Sequence, residues 1–514
     1  MKKFSILILC ACSINSLLAQ EPADALRYSW YSSSGSARQQ AVGGAMASLG
    51  GDISATFVNP AGLGFYKTAE FVLSPGFNFL NNKATYYSRT EKNNKQNLAF
   101  GTSGIVWGDG TNKSRNNRTS DVLSIAINQT ANFGSNILYR GANNQSSYSQ
   151  KFLEEIKNNN DKDANNVASG YPTGTSLAFN TYWIDTIAGG SSGNYQFQTR
   201  APIATGLLQQ NTITSTGGIT ELALAFASSY RDKLFVGGTI GVPFLHYHRH
   251  GEFQEADATT NANNKVDFAS ITDNLTTDGV GVNIKAGIIF KPTDFIRLGF
   301  AIHSPTLYNL TDDYNASVTT NTESYKGMLT QSSGDFNGGN DAEFKYLLLT
   351  PYRIIASASY VLREVEDVRK QKGFLTLDIE YLNYTASSFK PDYNDNNQST
   401  KDYLKTLNGA IDKAYKGAFN IKAGGELKFT TVMVRLGTAY YSNPYKNLAG
   451  EKGSRFQLSG GLGYRNKGIF VDIAYVYVMG KDVHFPYRLQ NTPFSGAKIN
   501  ATGGNAILTV GFKI

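Results

Sequence analysis

Apolar and polar residues alternate with a period of two along much of the chain from residue 69 onward. The last segment, 506–514, is the clearest, with Ala, Leu, Val, Phe and Ile on one face and Thr, Gly and Lys on the other. Such alternation predicts β-strands with one apolar face. Fourteen strands are predicted, at residues 69–80, 97–107, 121–134, 219–230, 233–250, 279–291, 295–310, 343–362, 373–385, 417–429, 432–442, 455–465, 469–479 and 504–514.

The connections between these strands alternate in length. Every second one is shorter, such as 231–232 and 430–431, while the intervening ones are long and rich in Asn, Gly, Ser and Thr, the largest being 135–218. A membrane barrel has short turns at one rim and long loops at the other, whereas a soluble β-sandwich has no reason to separate loops by parity. The predicted fold is all-β, a 14-stranded antiparallel transmembrane β-barrel over residues 69–514.

Residues 1–20 begin with two lysines, continue through an apolar run and end in small residues. This layout predicts a signal peptide, cleaved after Ala19 or Gln20, and therefore export. The only cysteines of the chain, Cys10 and Cys12, fall inside this leader. A lipidated Cys12 at the mature N-terminus is the alternative.

Composition agrees with a barrel rather than a helical membrane protein. The chain has 30 Tyr, 30 Phe and 51 Gly, yet its mean hydropathy is only −0.29. After the leader, no run reaches the roughly 18 to 20 apolar residues of a spanning helix. The net charge of +8 is scattered, which predicts no nucleic-acid partner. No Ser-His-Asp or zinc-hydrolase motif is present, so we predict neither an enzyme nor a cofactor.

Three histidines, His246, His248 and His250, alternate along one predicted strand. Their side chains therefore share a face, which parity assigns to the outside of the barrel at the level of lipopolysaccharide. Two imidazoles on one face could share a metal or contact haem. The alternative is that they are polar residues at the membrane interface.

Two loop segments have helical rather than strand periodicity. Residues 148–158 place Phe152, Leu153 and Ile156 on one side, and residues 402–416 form a second amphipathic stretch. Either helix could receive an apolar ligand, or both could simply pack the loops into a cap.

Residues 25–68 are too weakly periodic for a barrel wall. They contain a Ser-Gly segment and, just before the first strand, Asn-Pro-Ala-Gly-Leu. In this pattern the chain resembles the long-chain fatty-acid transporter (FadL) family of outer-membrane proteins. The resemblance implies that residues 21–68 form a hatch inside the lumen, although the second motif could merely turn the chain into strand one. The hatch residues are Ser33, Ser34, Gly35, Asn59, Pro60, Ala61, Gly62 and Leu63.

The resemblance also implies a function. A monomeric barrel would capture long-chain fatty acids or similar hydrophobic molecules on its loops, pass them to a lumen pocket and release them sideways near strand three. The candidate opening is Asn132, Phe133 and Gly134. Expected partners are the hydrophobic ligand, outer-membrane lipid, lipopolysaccharide and the barrel-assembly machinery. The alternative is a binding or docking protein on the same barrel, similar to a type IX secretion shuttle or a haem receptor.

A fatty-acid carboxylate would favour a cation in the lumen. Strand parity turns five basic residues inward, and pairing with acidic residues on the same side is the alternative to a ligand contact. The candidate cations are Lys285, Arg297, Arg353, Lys422 and Arg435.

Overall fold

The structure is a computed structural model, and it describes most of the chain. The predicted leader, with its cleavage site and both cysteines, lies outside the described residues. The described ranges are 22–30, 34–110, 117–191, 193–259, 261–362, 372–446 and 452–513.

Fourteen antiparallel strands close into one barrel, as predicted. Six of them are interrupted by a short break and continue beyond it. In chain order the strands are β1 (Glu70–Leu73, Pro75–Tyr86), β2 (Arg89–Phe100, Ser103–Asp109), β3 (Arg118–Asn132, Ser135–Asn143), β4 (Leu207–Tyr230), β5 (Leu234–Asp257), β6 (Phe268–Phe290), β7 (Ile296–His303, Leu307–Asn321), β8 (Ala342–Leu349, Arg353–Leu362), β9 (Gly373–Asn383, Ser388–Pro391), β10 (Gly417–Phe429), β11 (Val432–Tyr441), β12 (Arg455–Asn466), β13 (Ile469–His484) and β14 (Ala497–Lys513).

The first and last strands close the barrel. β14 pairs with both segments of β1, with Glu70 opposite Lys513 and Gly76 opposite Ile507. Because the strand number is even, β1 begins and β14 ends at the same rim, which also carries the short turns. We call it the turn rim and the opposite end the loop rim. Large apolar side chains such as Leu222, Leu224 and Phe226 are exposed on the outside, as alternation requires.

Several strands extend further toward the loop rim than predicted. The predicted loop 135–218 is really 144–206, because β3 runs to Asn143 and β4 begins at Leu207. β1 and β2 likewise meet in a tight hairpin at 87–88. Apolar alternation disappears where both faces of a strand meet polar surroundings, but the backbone ladder continues there. Periodicity alone therefore ended these strands too early.

The described helices lie before the barrel and in its long loops. α4 matches the helix predicted at 148–158, and α7 begins four residues before its predicted start at 402. None of the described helices is long and apolar enough to cross a membrane. The helices are α1 (Pro22–Arg27), α2 (Ala37–Ala41), α3 (Ala55–Val58), α4 (Ser149–Asn158), α5 (Ala164–Ser169), α6 (Thr175–Asn180) and α7 (Gln398–Ala414), with 3-10 turns at Pro60–Phe65, Ser333–Phe336 and Tyr384–Ala386. Short strands in the loops are Ile184–Thr186, Phe197–Thr199 and Met328–Ser332.

Residues 22–30 and 34–68, which we call the lumen segment, lie against the inner face of the barrel. Ala37 N donates to Thr509 Oγ1 at 2.8 Å, and Gly43 N donates to Ser459 Oγ at 3.0 Å. Met46 N donates to Asp378 Oδ2 at 3.0 Å. Inward wall side chains thus supply partners for a backbone with too few regular hydrogen bonds of its own.

Candidate functional site

The ladder between β2 and β3 covers only the part of these strands near the turn rim. It runs from Asp109 opposite Asp121 to Ser103 opposite Ile127. Beyond that pair, β2 is joined to β1 and β3 to β4, and no backbone ladder joins β2 to β3 in the described residues. We call this stretch, 89–100 of β2 and 128–143 of β3, the seam. Main-chain hydrogen bonds do not hold the wall together at the seam.

The seam arises from local irregularities in β3. A register shift between Gln129 and Ala131 marks a bulge, and the strand breaks after Asn132. Asn132 Oδ1 accepts a hydrogen bond from Gly134 N at 2.9 Å, which turns the chain at the break. A bulge followed by a turn redirects a strand away from its neighbour. The predicted opening, 132–134, therefore lies within the seam.

Near the loop rim, asparagine side chains bridge the seam. The buried Asn82 of β1 donates through Nδ2 to Asn136 O at 2.7 Å and to Ser135 Oγ at 3.0 Å. Asn136 Nδ2 in turn donates to Asn94 O at 3.0 Å. These bonds attach the second half of β3 to the β1–β2 hairpin without a ladder.

Nearer the turn rim, the seam is bridged more weakly. Asn97 Nδ2 lies 3.4 Å from Asn132 Oδ1, and Phe100 N lies 3.4 Å from Gln129 Oε1. Bonds of this length contribute less than those near 2.9 Å. Side-chain bridges can also break by rotation while the flanking ladders stay intact. At the seam, side-chain bonds thus replace the backbone ladder that joins other neighbouring strands.

The inner side of the seam contacts the lumen segment. Phe133 packs edge-on against Tyr247 of β5 at 5.4 Å between ring centroids and against Tyr28 at 5.9 Å. Burial, reinforced by the carboxylate of Asp24, raises the pKa of Tyr28, so its hydroxyl stays protonated. That hydroxyl donates to Thr277 Oγ1 at 3.0 Å. A movement of Tyr28 would remove the packing behind the seam.

Behind these aromatic rings lies a packed apolar core under α7. We call this core the chamber. The chamber is filled in this conformation, because the two cavities that Trp30 lines measure only about 10 and 20 Å³. Ligand sites typically enclose about 300 to 1,000 Å³. A ligand could enter only by displacing part of the lumen segment. The chamber is lined by Ala25, Leu26, Tyr28, Tyr247, Leu275, Tyr308, Leu310, Tyr346, Phe389, Leu404, Leu407 and Ile411.

The five candidate cations all point into the lumen and already have partners there. Because these partners are anions or carbonyl oxygens, a ligand carboxylate would have to compete with them, and the predicted ligand contact stays a prediction. Lys285 pairs with Glu221, and Arg297 Nη1 donates to Leu49 O at 2.6 Å. Arg353 and Lys422 lie 3.2 and 3.1 Å from Glu380. Arg435 lies 2.6 Å from both Glu426 and Asp472.

The Asn-Pro-Ala-Gly-Leu motif joins a turn to the wall. Asn59 Oδ1 accepts from Ala61 N at 3.1 Å and so caps the 3-10 turn. Its Nδ2 donates to Ala47 O at 2.6 Å, within the lumen segment, and lies 3.3 Å from Ile288 O of β6. Of the other predicted hatch residues, Ser34 Oγ accepts from Asn128 at 3.3 Å and Gly35 O accepts from Gln40 at 3.1 Å, while Ser33 lies outside the described residues.

The three histidines do not converge. His246, His248 and His250 each bond instead to β6, through Asp278 at 2.7 Å, Thr276 at 3.0 Å and Asn274 at 2.7 Å respectively. Within the described part of the chain, no group of three His, Cys, Asp or Glu side chains could hold a metal ion. This arrangement matches interfacial polar residues.

Sequence reasoning missed the residues that bridge the seam. Asn82, Asn94 and Asn97 fell at or beyond the ends of predicted strands, since polar residues on both faces hide a strand from a periodicity test. A usable signal was present, because asparagine recurs through 81–97 just before the predicted opening. Tyr28 gave no such signal.

Comparisons with known proteins agree with this architecture. Residues 15–514 match the profile of a family described as outer membrane protein transport protein (OMPP1/FadL/TodX). A FadL homologue from Pseudomonas aeruginosa superposes with a TM-score of 0.54 at 13% identity, covering 94% of this chain and 99% of that chain. The toluene transporter TodX of P. putida gives 0.50 at 11% identity, with 94% and 99% covered. No curated protein matches. At such identities these structures establish the fold alone.

Proposed function

The chain belongs to the OMPP1/FadL/TodX family of outer-membrane transport proteins, and from that premise we propose that it carries hydrophobic small molecules into the cell through the seam. The molecule enters the chamber under α7, passes Phe133 and leaves sideways between β2 and β3. The protein is not an enzyme and acts in the outer membrane. We propose long-chain fatty acids as its substrates and a single barrel as the working unit.

The observation that carries this proposal is the contrast between the seam and the rest of the lumen. Below the chamber, toward the turn rim, buried ion pairs such as Arg435–Glu426 and Lys422–Glu380 fill the space between wall and lumen segment. An apolar molecule moving straight down would separate these charges and leave them buried without partners. The seam offers a shorter route, flanked by Phe133 inside and Phe100 outside.

Entry of cargo into the filled chamber is an exchange of apolar contacts. An entering acyl chain would replace apolar contacts of Leu26 and Tyr28 with similar contacts of its own. Since apolar burial is exchanged rather than lost, this displacement costs little free energy. Movement of Tyr28 would then withdraw support from Phe133, so occupancy of the chamber would loosen the seam.

A reversible lock across the seam tests this route. The variant Asn97→Cys with Asn132→Cys is bridged by a bifunctional methanethiosulfonate reagent, which a reductant removes. The mature chain is predicted to contain no other cysteine. Uptake of radiolabelled oleate is measured in cells at equal surface levels. We expect uptake to fall to that of a deletion strain when the bridge is present and to return after reduction.

The control pair is Thr319→Cys with Thr330→Cys, whose native hydroxyls lie 2.9 Å apart in an exposed loop hairpin. Bridging it should leave uptake unchanged. Undiminished uptake through a locked seam would refute lateral release. If the deletion strain takes up oleate normally, fatty acid is the wrong cargo and the docking alternative gains ground. Against docking, the aromatic residues Tyr148, Phe152 and Trp183 of the largest loop pack into their own core.

A further inference from the structure

The outer face of the wall has a concave apolar groove of about 980 Å³ that begins at the seam. Two rows of cross-strand partners cross six strands to form it. One row consists of Leu436, Gly460, Tyr475, Ala506, Phe77 and Leu98. The second row contains the paired residues Val434, Leu462, Ile473 and Leu508, and then Pro75 with Phe100.

Side-chain size makes the first row uneven. Gly460 and Ala506 are small, whereas the residues between and beside them are large and exposed. A Cβ on Gly460 would lie 3.4 Å from Leu436 Cδ2, an ordinary van der Waals contact, so this position accepts a larger side chain without a backbone clash. Small outward residues thus leave a channel between larger ones.

The α2 helix packs closely against the inner side of the same wall. A Cβ on Gly461 would lie 2.7 Å from Ala41 Cβ of α2. Ala37 and Ala41 also pack against Ala474 and Ile507 of β13 and β14. Small residues on both sides of the contact allow this close approach. The groove outside and the α2 contact inside therefore share one stretch of wall.

We infer that this groove, the wall groove, is a second binding site for the hydrophobic cargo, which it receives as the cargo leaves the seam. The inference rests on the proposed lateral route and adds a stage to it. The occupant is one long-chain fatty acid, whose acyl chain lies along the two rows.

Continuity with the seam is what favours cargo as the occupant. Phe100, Gln129 and Thr220 line the groove at its end, and Phe100 with Gln129 also forms a bridge of the seam. The volume lies in the range of about 300 to 1,000 Å³ that is typical of ligand sites. Most of the lining side chains are apolar, as an acyl chain requires. The competing source of an acyl chain is the surrounding bilayer, and the test must separate the two.

Photolabelling separates cargo from bilayer lipid. A long-chain fatty acid with a diazirine on its chain is supplied outside cells that carry the full-length lockable seam variant, and labelled peptides are mapped by mass spectrometry. With the seam unlocked, label should appear around Leu98 and Tyr475. With the seam bridged, labelling of the peptides that line the groove should fall about ten-fold, because cargo can no longer reach the groove through the seam. Label at Ile240 and Val282, exposed on the opposite wall, should not change.

Filling the groove provides an independent test. In Gly460→Leu with Ala506→Leu, groove label should fall about ten-fold and oleate uptake should slow, while label near Tyr247 in the chamber persists. The control is Ala286→Leu with Ala358→Leu, two outward exposed positions on β6 and β8. Folding of each variant is checked by its migration in unheated gels.

The outcomes distinguish the inference from the function on which it rests. Equal groove label in locked and unlocked protein would show that the occupant comes from the bilayer, and this would overturn the inference. Unchanged groove label in the folded filled variant would overturn it as well. Loss of label from both chamber and groove in unlocked protein would instead count against the proposed transport of fatty acid.

Discussion

Individual charged residues inside this barrel act as structural cross-links. Arg435 of β11 is fully buried, and its guanidinium lies 2.6 Å from Glu426 of β10 and 2.6 Å from Asp472 of β13. Strand β12 lies between β11 and β13, so one side chain connects widely spaced strands. Its size and branching allow it to reach both carboxylates, which a lysine would not match.

Replacing Arg435 should destabilise the barrel strongly. Arg435→Met removes the nearest cation from two buried carboxylates and leaves Arg38, 3.6 Å from Glu426, and Arg465, 3.8 Å from Asp472, which costs about 3 kcal/mol. The folded band in gels loaded after stepwise heating should disappear at a lower temperature. Arg231→Met, in an exposed turn, is the control and should behave like the parent protein. An unchanged melting profile for Arg435→Met would mean that the ion pairs of Arg435 with Glu426 and Asp472 contribute nothing to stability.

At the scale of elements, breaks in strands determine where the wall is weak. β3 leaves its ladder with β2 at a bulge, and the two are then joined through side chains such as Asn97 and Asn136. Elsewhere β5 and β6 remain paired from Leu234 opposite Phe290 to Ala256 opposite Phe268. A long ladder in a single register and a side-chain bridge therefore coexist in one wall, and the bridge is the weaker connection.

Asn82→Ala should loosen the seam. The change removes two hydrogen bonds and leaves the Asn136 carbonyl without its donor, at a cost of about 1 to 3 kcal/mol. Hydrogen–deuterium exchange in 135–143 should accelerate, while exchange in β5 should stay the same. Asn78→Ala in the same strand is the matched control. Protection of 135–143 equal to that of the parent would show that Asn82 does not hold the seam.

At the scale of the whole molecule, the lumen segment and the wall fit each other through glycine. A Cβ on Gly237 of β5 would lie 2.5 Å from Pro60 C and 2.6 Å from Ala61 N, both in the lumen segment. The next residue, Gly238, would meet only Lys285 O, at 3.7 Å. Neighbouring glycines thus differ sharply in function, since one permits the segment to dock and the other faces outward.

Gly237→Ala should push the Asn-Pro-Ala-Gly-Leu motif off the wall. Overpacking of this kind costs about 1 to 3 kcal/mol, and the loosened lumen segment should let ions through. Single-channel conductance in planar bilayers should therefore rise above that of the parent protein. Gly238→Ala is the matched control and should conduct like the parent. Equal conductance of both variants would show that this contact does not seal the lumen.

Much of the fold could be predicted from sequence, because a barrel wall encodes its strands residue by residue. Outward positions must be apolar, so the alternation located all fourteen strands and the inward direction of Lys285 and Arg435. The same rule failed at 81–96 and 135–143, where strands are polar on both faces. These segments form strands because their backbones hydrogen-bond to a neighbouring strand. Their own sequence pattern does not indicate it.

The sequence by itself thus determined the barrel and the parity of its loops, while the opening at 132–134, which the family resemblance implies, stays a prediction. Only the tertiary structure decided that the lumen cations are paired, that Tyr28 supports Phe133 from within and that Asn82 closes the seam from the side. The hydrogen bonds of Asn82 with Asn136 and of Tyr28 with Thr277 join residues that are 54 and 249 positions apart in the chain. Periodicity reports which face a residue occupies, whereas its partner across the lumen depends on how the sheet closes.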